Sequence, residues 1–284
     1  MPRGQAVARR QPAGYAVGDV LDGRFEILQL LGEGSFARAY RVLDDIEGRE
    51  RTLKLFDYAT GEEAARREIG VLRKIRHPNV VEVFWADKTN AGEWYLITEF
   101  IEGESLDEFV TGDKRLRDPE ALDVALDLLN ALVAFHPDQA CLKQFPEDEG
   151  LIHRDIKPLN AILTGTGTKL LDFNIASRAG EPVHTASGTP PYQPPDDGLS
   201  RWDVSTDLFA VGVLLYQLLC DGQHPYPEAM PMIGVPVTDP RNHRAGLSSD
   251  LAEFLVKACA PARADRYLSA VDMRLALLSI RADL

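Results

Sequence analysis

The segment LIHRDIKPLNAILTGTGTKLLDFN, which starts at Leu151, constrains this chain more than any other part of its sequence. Into one short stretch it brings two acids, Asp155 and Asp172, an amide, Asn160, and a lysine, Lys157. Carboxylate and amide oxygens are the hard ligands that magnesium takes. Lys157 adds a positive charge beside Asp155. This set suits the transfer of a phosphoryl group: Asp155 to orient the proton of an attacking hydroxyl, Lys157 to sit beside the moving group, Asn160 and Asp172 to hold the metal. Taken alone, His153-Arg154-Asp155 reads as well as a cluster of surface ion pairs. The rest of the chain decides between the two readings.

A length of 284 residues, 45% of them hydrophobic and 26% charged, suits one large domain or two closely joined ones with a sizeable core. The formal net charge of -13 argues against non-specific binding to nucleic acid or to an anionic membrane, since both reward a basic surface. Cys141, Cys220 and Cys259 are widely spaced, without a CxxC pair or metal-ligand spacing, so a disulfide framework or zinc site is not expected. A reducing cytoplasm is the compartment such cysteine usage suits. The N-terminus has no apolar signal core, and the longest apolar run, Leu208 to Cys220, is broken by Gln217 and too short to span a bilayer. Met1 to Gly14 is rich in Pro, Gly, Gln and Arg and lacks periodicity; we assign residues 1–20 to a flexible tail and 21–284 to a folded domain.

Between Phe25 and Arg51, the β-favouring segments FEILQLLG and ARAYRVL flank a glycine-rich turn, and RTLKLF follows the turn Asp44 to Gly48. Glu62 to Ile75 carries Ala, Ile and Leu at helical spacing and stops before His77-Pro78-Asn79. Two further strands, Val80 to Ala86 and Trp94 to Phe100, are joined by the polar turn Lys88 to Glu93. The expectation is a small lobe, 21–102, of five antiparallel strands and one helix. From 103 to 284 the pattern changes to helical periodicities at Pro119 to Phe135, Ser205 to Cys220, Ser249 to Cys259 and Ser269 to Ile280. Short strands are expected near Ala161 to Leu163 and Lys169 to Leu171. His136 to Gly150, with Glu147, Asp148 and Glu149, reads as a solvated surface insertion.

GEGSFA, Gly32 to Ala37, lies between two strands. That context excludes a dinucleotide fingerprint, whose glycines open a helix, and a Walker loop, which needs GK[ST]. A strand-turn-strand glycine loop can instead close over phosphates, although a glycine-rich hairpin is more often just a turn. Lys54 stands in the apolar strand RTLKLF, where a charge needs a partner, and Glu68 on the following helix is the candidate. Taken singly, either residue reads as an ordinary surface charge.

In this order the segments resemble the eukaryotic-like, Hanks-type protein kinases, in particular the bacterial serine/threonine kinases, from about Gly23 to Ile280. The glycine loop Gly32 to Ala39 is followed by Lys54, Glu68, His77 to Asn79, HRDIKPLN at His153 to Asn160, DFN at Asp172 to Asn174, GTPPYQPPD at Gly188 to Asp196, Asp207 and Arg266. The resemblance implies an α+β, two-lobe kinase fold and the use of ATP with magnesium or manganese. It implies that Gly32, Glu33, Gly34, Ser35, Phe36 and Ala37 cover the phosphates. Adenine is then expected between the lobes against Leu31, Ala39 and Ile162, with the backbone of Glu99 and Ile101 as hinge behind Thr98. Asp155, Lys157, Lys54 and Glu68 become the catalytic set, and Asn160 and Asp172 the metal ligands. Leu72, Val83, His153 and Phe173 are similar to the family's stacked spine, with Asp207 as anchor. Lys157 with Thr189 resembles the serine/threonine subgroup, and GTxxY with the loop after it favours a protein substrate.

The departures are few. Ala37 replaces the third loop glycine, and Asn174 the glycine after Asp172-Phe173, where asparagine is the next best residue for a positive φ. Thr52 stands where alanine is usual above the adenine, so its hydroxyl needs a backbone partner. Pro195-Asp196 replaces Ala-Glu, and Asp196 is expected to pair with Arg266. Arg154 before Asp155 often marks control by phosphate in the activation segment, which makes Thr185 and Ser187 candidate autophosphorylation sites. The leading expectation is an active kinase acting on protein substrates, with no nucleic-acid or membrane partner. A silent nucleotide-binding switch and a small-molecule phosphotransferase are the alternatives. The opening VGDVLDGRFEILQLLGEGSFA looks like bacterial kinases, while DFN with SGTPPYQPPD is similar to kinase domains of large phage-defence proteins. An excised part of a longer protein is the corresponding expectation.

Overall fold

Alternation of apolar side chains builds the β-sheet of this protein. In the computed structural model, which describes residues 14–34, 36–58, 61–137, 150–182, 188–195 and 202–283, the chain divides into two units. The first takes the chain up to Ile69 and then Val83–Phe100; the second takes Gly70–Glu82 and the chain from Ile101.

Six strands form the first unit: β1 (Val20–Leu21), β2 (Phe25–Glu33), β3 (Ala37–Asp44), β4 (Arg49–Phe56), β5 (Val83–Lys88) and β6 (Trp94–Glu99). They make one antiparallel sheet in the order β1-β2-β3-β4-β6-β5. Because side chains alternate faces along a strand, Phe25 and Ile27, Tyr40 and Val42, Leu53 and Leu55, and Tyr95 and Ile97 share one face and form a core with Leu21. Arg24 holds Asp44 through two hydrogen bonds of 2.8 and 2.6 Å, which ties the β2 start to the β3 end. The sheet has one strand more than the five expected, the two-residue β1. Tyr15, in the segment assigned to a tail, packs against the same core, and Gly18 N–H donates to Ile27 O at 2.9 Å.

Helix α1 (Glu62–Leu72) ends three residues before the expected Ile75. Lys74 N–H and Ile75 N–H bond to Val71 O and Leu72 O, so a tighter turn closes the helix. Strand β5 begins at Val83 rather than Val80, because Val80 bridges to Leu170 and Val81 N–H donates to Leu170 O within the second unit.

The second unit is mostly helical: α2 (Asp107–Val110), α3 (Asp118–Phe135), α4 (Ser205–Leu219), α5 (Ser249–Ala258) and α6 (Ala270–Ala282). All four longer helices lie where the periodicity places them. Every residue of α4 is buried, and α3 packs against both α4 and α6. Two small sheets complete it: β7 (Glu104–Ser105), β9 (Ala161–Thr164) and β10 (Gly167–Leu170) in the order β10-β9-β7, and β8 (Leu151–Ile152) with β11 (Ser177–Arg178). A small antiparallel β unit with one helix and a larger helical unit are the expected α+β architecture. Cys220 and Cys259 are buried and unbridged, and Cys141 lies outside the described residues. Among the described residues no helix is long and apolar enough to cross a membrane.

Candidate active site

In the first unit the glycine loop is the β2–β3 turn. Gly34 N–H donates to Ala37 O at 2.8 Å, and Gly32 pairs with Ala39 across the strands. Neither Gly32 nor Gly34 has a positive φ, and a Cβ at Gly32 would meet nothing within 4 Å. The fold therefore does not demand glycine at position 32; close approach of a ligand to the backbone is a reason that remains. Ala37 is buried at the start of β3, so its methyl group is accommodated. Leu31, Glu33 and Phe36 are exposed and Ala39 is half-buried, while Ser35 lies outside the described residues.

Lys54 of β4 lies opposite Ala39 and Leu96. Its Nζ donates to both carboxylate oxygens of Glu68 on α1, at 3.0 and 2.7 Å, with Glu68 only 3% exposed. The pairing expected from sequence is formed. Removing one partner of such a buried pair strands the other charge. Thr98 is buried and donates to Glu99 O at 3.2 Å. The hydroxyl of Thr52, a residue paired with Thr98 across the strands, has no hydrogen-bond partner among the described residues. The expected backbone partner is not there, and the half-buried position leaves the hydroxyl open to water.

In the second unit the segment after β8 folds around Asp207, the third residue of α4. The Asp207 carboxylate accepts His153 N–H at 2.7 Å, Arg154 N–H at 2.8 Å and His136 Nε2 at 2.9 Å. Burial pushes this carboxyl up, but the hydrogen bonds from His136 and from Arg154 N–H help outweigh it and hold it below its usual range. His153 Nδ1 accepts from Asp155 N–H at 3.3 Å, so Nε2 carries the proton and donates to Leu171 O at 2.8 Å. Its ring packs on Phe173 at 4.5 Å between centroids. Arg154 takes φ 72°, a left-handed conformation that costs a residue with a Cβ about 1–3 kcal/mol and persists only where the surroundings over-determine it.

Asp155 then stands at the centre of a set of donors. Lys157 Nζ reaches its Oδ2 at 2.7 Å, and Asn160 Nδ2 reaches the same oxygen at 3.1 Å and the backbone O at 2.8 Å. Thr189 Oγ1 donates to Oδ1 at 2.7 Å and accepts from Lys157 at 3.1 Å. Gly188 makes this approach feasible: its φ is 131°, and a Cβ there would lie 3.0 Å from Arg154 O and collide with Gln193. Leu171 N–H donates to Asn160 O at 2.9 Å, linking Asn160 to the residue before Asp172. Ile101 and Ile162 are both half-buried in this unit.

A model of the family described as protein kinase domain matches residues 25–273. The chain belongs to the protein kinase domain family. It is 29% identical over 279 residues to serine/threonine-protein kinase PrkC of Bacillus subtilis, covering 90% of this chain and 40% of that protein. It is 28% identical over 279 residues to the probable serine/threonine-protein kinase PknB of Corynebacterium glutamicum, covering 89% and 42%. With serine/threonine-protein kinase PksC of Streptomyces coelicolor it shares 32% over 238 residues, covering 77% and 41%. The chain thus spans about two-fifths of the length of these bacterial relatives.

Two details of this kinase domain differ from expectation, and a third involves a residue outside the described ones. Asn174 has no positive φ; the left-handed residue is Asp172, at φ 61°. Arg154, expected to meet a phosphate, is only 5% exposed: its Nη1 donates to Ile175 O at 2.9 Å and to Ser177 Oγ at 2.7 Å, and its guanidinium lies 3.7 Å from the Trp202 ring. Arg266 donates to Ala260 O and Pro261 O at 2.6 Å each, while its expected partner Asp196, like Thr185 and Ser187, lies outside the described residues. Sequence reasoning missed His136 and Trp202. His136, next to the acidic insertion, was read as its first residue, and nothing local marks Trp202.

Proposed function

We propose that this kinase domain transfers the γ-phosphoryl group of ATP to serine or threonine hydroxyls of protein substrates. The observation that carries the reading is the set of donors on Asp155. Lys157 and Asn160 donate to its Oδ2, and a hydroxyl, that of Thr189, donates to its Oδ1. The Thr189 hydroxyl, 2.7 Å from Oδ1 and 3.1 Å from Lys157 Nζ, illustrates the geometry that an acceptor hydroxyl needs beside a base and a cation. Asp155 would orient that hydroxyl, and Lys157 would stabilise charge on the transferring group. Lys54, fixed by Glu68, and the loop Gly32 to Ala37 would hold the nucleotide phosphates; Leu31, Ala39, Thr98, Glu99, Ile101 and Ile162 would form the adenine contacts.

The donor chemistry fits a divalent ion. Asn160 spends its amide nitrogen on Asp155, which leaves its Oδ1 as a hard ligand beside Asp172. Among the described residues there is no group of three His, Cys, Asp or Glu that could hold a metal by itself. Two protein oxygens suit magnesium, which keeps waters and substrate phosphates in its shell; manganese is the alternative. Held by Asn160 and Asp172, the ion would supply positive charge to offset that of the phosphates. Function in the cytoplasm, with autophosphorylation at Thr185 or Ser187, completes the reading.

The test is transfer of label from radiolabelled ATP to a generic protein substrate. Wild type is expected to move label and Asp155→Asn to lose it, with phosphate mapped between Ser177 and Thr189. Full transfer by Asp155→Asn would refute the assignment. Label only on a metabolite would favour a small-molecule acceptor.

A further inference from the structure

Trp202 belongs to none of the family's motifs, yet it is 7% exposed and its ring covers the guanidinium of Arg154 at 3.7 Å. Its backbone is fixed from both sides: Gly180 N–H donates to Trp202 O at 2.8 Å, and Trp202 N–H donates to Glu181 O at 2.9 Å. These residues follow β11, whose Ser177 pairs with Ile152 of β8, the residue before His153. The same Ser177 accepts from Arg154 Nη1 through its hydroxyl. One ring therefore closes a loop of contacts among the entrance of α4, the segment after DFN, and the residue before Asp155.

Arg154 needs such a brace. Its backbone is left-handed, and its N–H is committed to Asp207. A planar guanidinium stacked on an indole face, with directed bonds to Ile175 O and Ser177 Oγ, fixes the side chain in the plane as well as along it. Residues that follow a braced left-handed position inherit its direction, and Asp155 is the next one.

We infer that Trp202 is a positioning residue for phosphoryl transfer: its stack on Arg154 holds the loop that carries Asp155, and does so without phosphate in the segment 183–187. The inference rests on the kinase activity proposed above. It assigns to an aromatic ring the bracing that Arg154 would otherwise receive from a phosphorylated threonine or serine. A displaced Asp155 slows the chemical step, whereas the nucleotide groups of the first unit, Lys54 and the glycine loop, are untouched. The effect therefore falls on kcat and not on KM for ATP.

The experiment measures steady-state phosphotransfer to a protein substrate by the full chain. Trp202→Leu keeps apolar volume but removes the π face, and Trp202→Phe keeps a ring. Arg154→Lys keeps the charge but loses the planar fork. Trp202→Leu and Arg154→Lys are expected to lower kcat about 10- to 100-fold, the scale on which misplacement of a catalytic group acts, with KM for ATP unchanged. Trp202→Phe should recover most of the rate. The double variant Thr185→Ala/Ser187→Ala, treated with phosphatase, should keep the wild-type kcat. Wild-type kcat in Trp202→Leu, equal losses in Trp202→Phe and Trp202→Leu, or collapse of the double variant would each overturn the inference. Wild type moving no label would instead defeat the underlying kinase reading.

Discussion

Asp207→Asn is the most discriminating single change. The carboxylate is 1% exposed and accepts three donors, so both oxygens are committed. Replacing one oxygen by an NH2 group leaves two arrangements. With the amide oxygen where Oδ2 was, the nitrogen faces Arg154 N–H at 2.8 Å; reversed, it faces His153 N–H at 2.7 Å. In either case two donors confront each other and one buried backbone N–H loses its acceptor. A hydrogen bond to a charged group contributes about 1.5–3 kcal/mol, and stranding a buried donor costs about 1–3 kcal/mol. Since these describe one loss from two sides, the expected destabilisation is about 2–3 kcal/mol rather than their sum. Urea unfolding followed by fluorescence of the buried Trp202, with Trp85 and Trp94 replaced by Phe, reads the second unit directly. A midpoint shift equivalent to less than about 1 kcal/mol, at unchanged slope, would refute the view that Asp207 anchors the Asp155 segment.

Glu68→Ala leaves the Lys54 ammonium without its carboxylate, and phosphotransfer should fall about 10²- to 10³-fold, as when other preorganised electrostatic groups are removed; an undiminished rate in the label assay would exclude the pair from catalysis. The Asp44 carboxyl is held below its usual range by its hydrogen bond from Arg24. Its stabilising contribution is thus complete above its unfolded value of about 4 and lost as pH falls through the lowered folded value. Acid unfolding of Asp44→Asn should show a shallower pH dependence there; identical profiles would dismiss the ion pair as a contributor. The two loop glycines should separate cleanly. Gly32→Ala, where a Cβ meets nothing, should keep its unfolding midpoint but raise KM for ATP, whereas Gly188→Ala, at φ 131° against Gln193 and Arg154, should lower kcat by displacing Thr189. The reverse pattern in kinetics and thermal unfolding would contradict both assignments.

How much of this was legible in the sequence depends on the range of the contact involved. The sheet followed from alternation, because Tyr40 and Val42 or Leu53 and Leu55 place a face on the core with no information from elsewhere. Helices α3 to α6 followed from periodicity for the same reason. The start of β5 did not, because Val80 and Val81 pair with Leu170, far along the chain, and that pairing overrides their local β preference. Position 174 failed differently. A glycine in the pattern suggests a positive φ, but here Ala176 N–H closes a turn on Phe173 O at 3.2 Å with Asn174 at an ordinary φ, and Asp172 takes the left-handed conformation instead.

The site shows the same division. Asp155, Lys157 and Asn160 are near neighbours in sequence, and their chemistry together with the order of the surrounding motifs singles them out. What orients them is supplied from a distance: Asp207 from α4, Thr189 from beyond the DFN segment, His136 from the end of α3. Arg154 is where the two kinds of information conflict. Its position before Asp155 suggests a receptor for phosphate, since an exposed guanidinium there has no other obvious use. Once Trp202 covers it and Ser177 and Ile175 take its Nη1 hydrogens, the same side chain becomes a strut under the left-handed residue that aims Asp155. A phosphate binds a guanidinium along its N–H edge and not on its face, so one approaching through Nη1 of Arg154 would have to displace Ile175 O and Ser177 Oγ while the Trp202 stack stays in place.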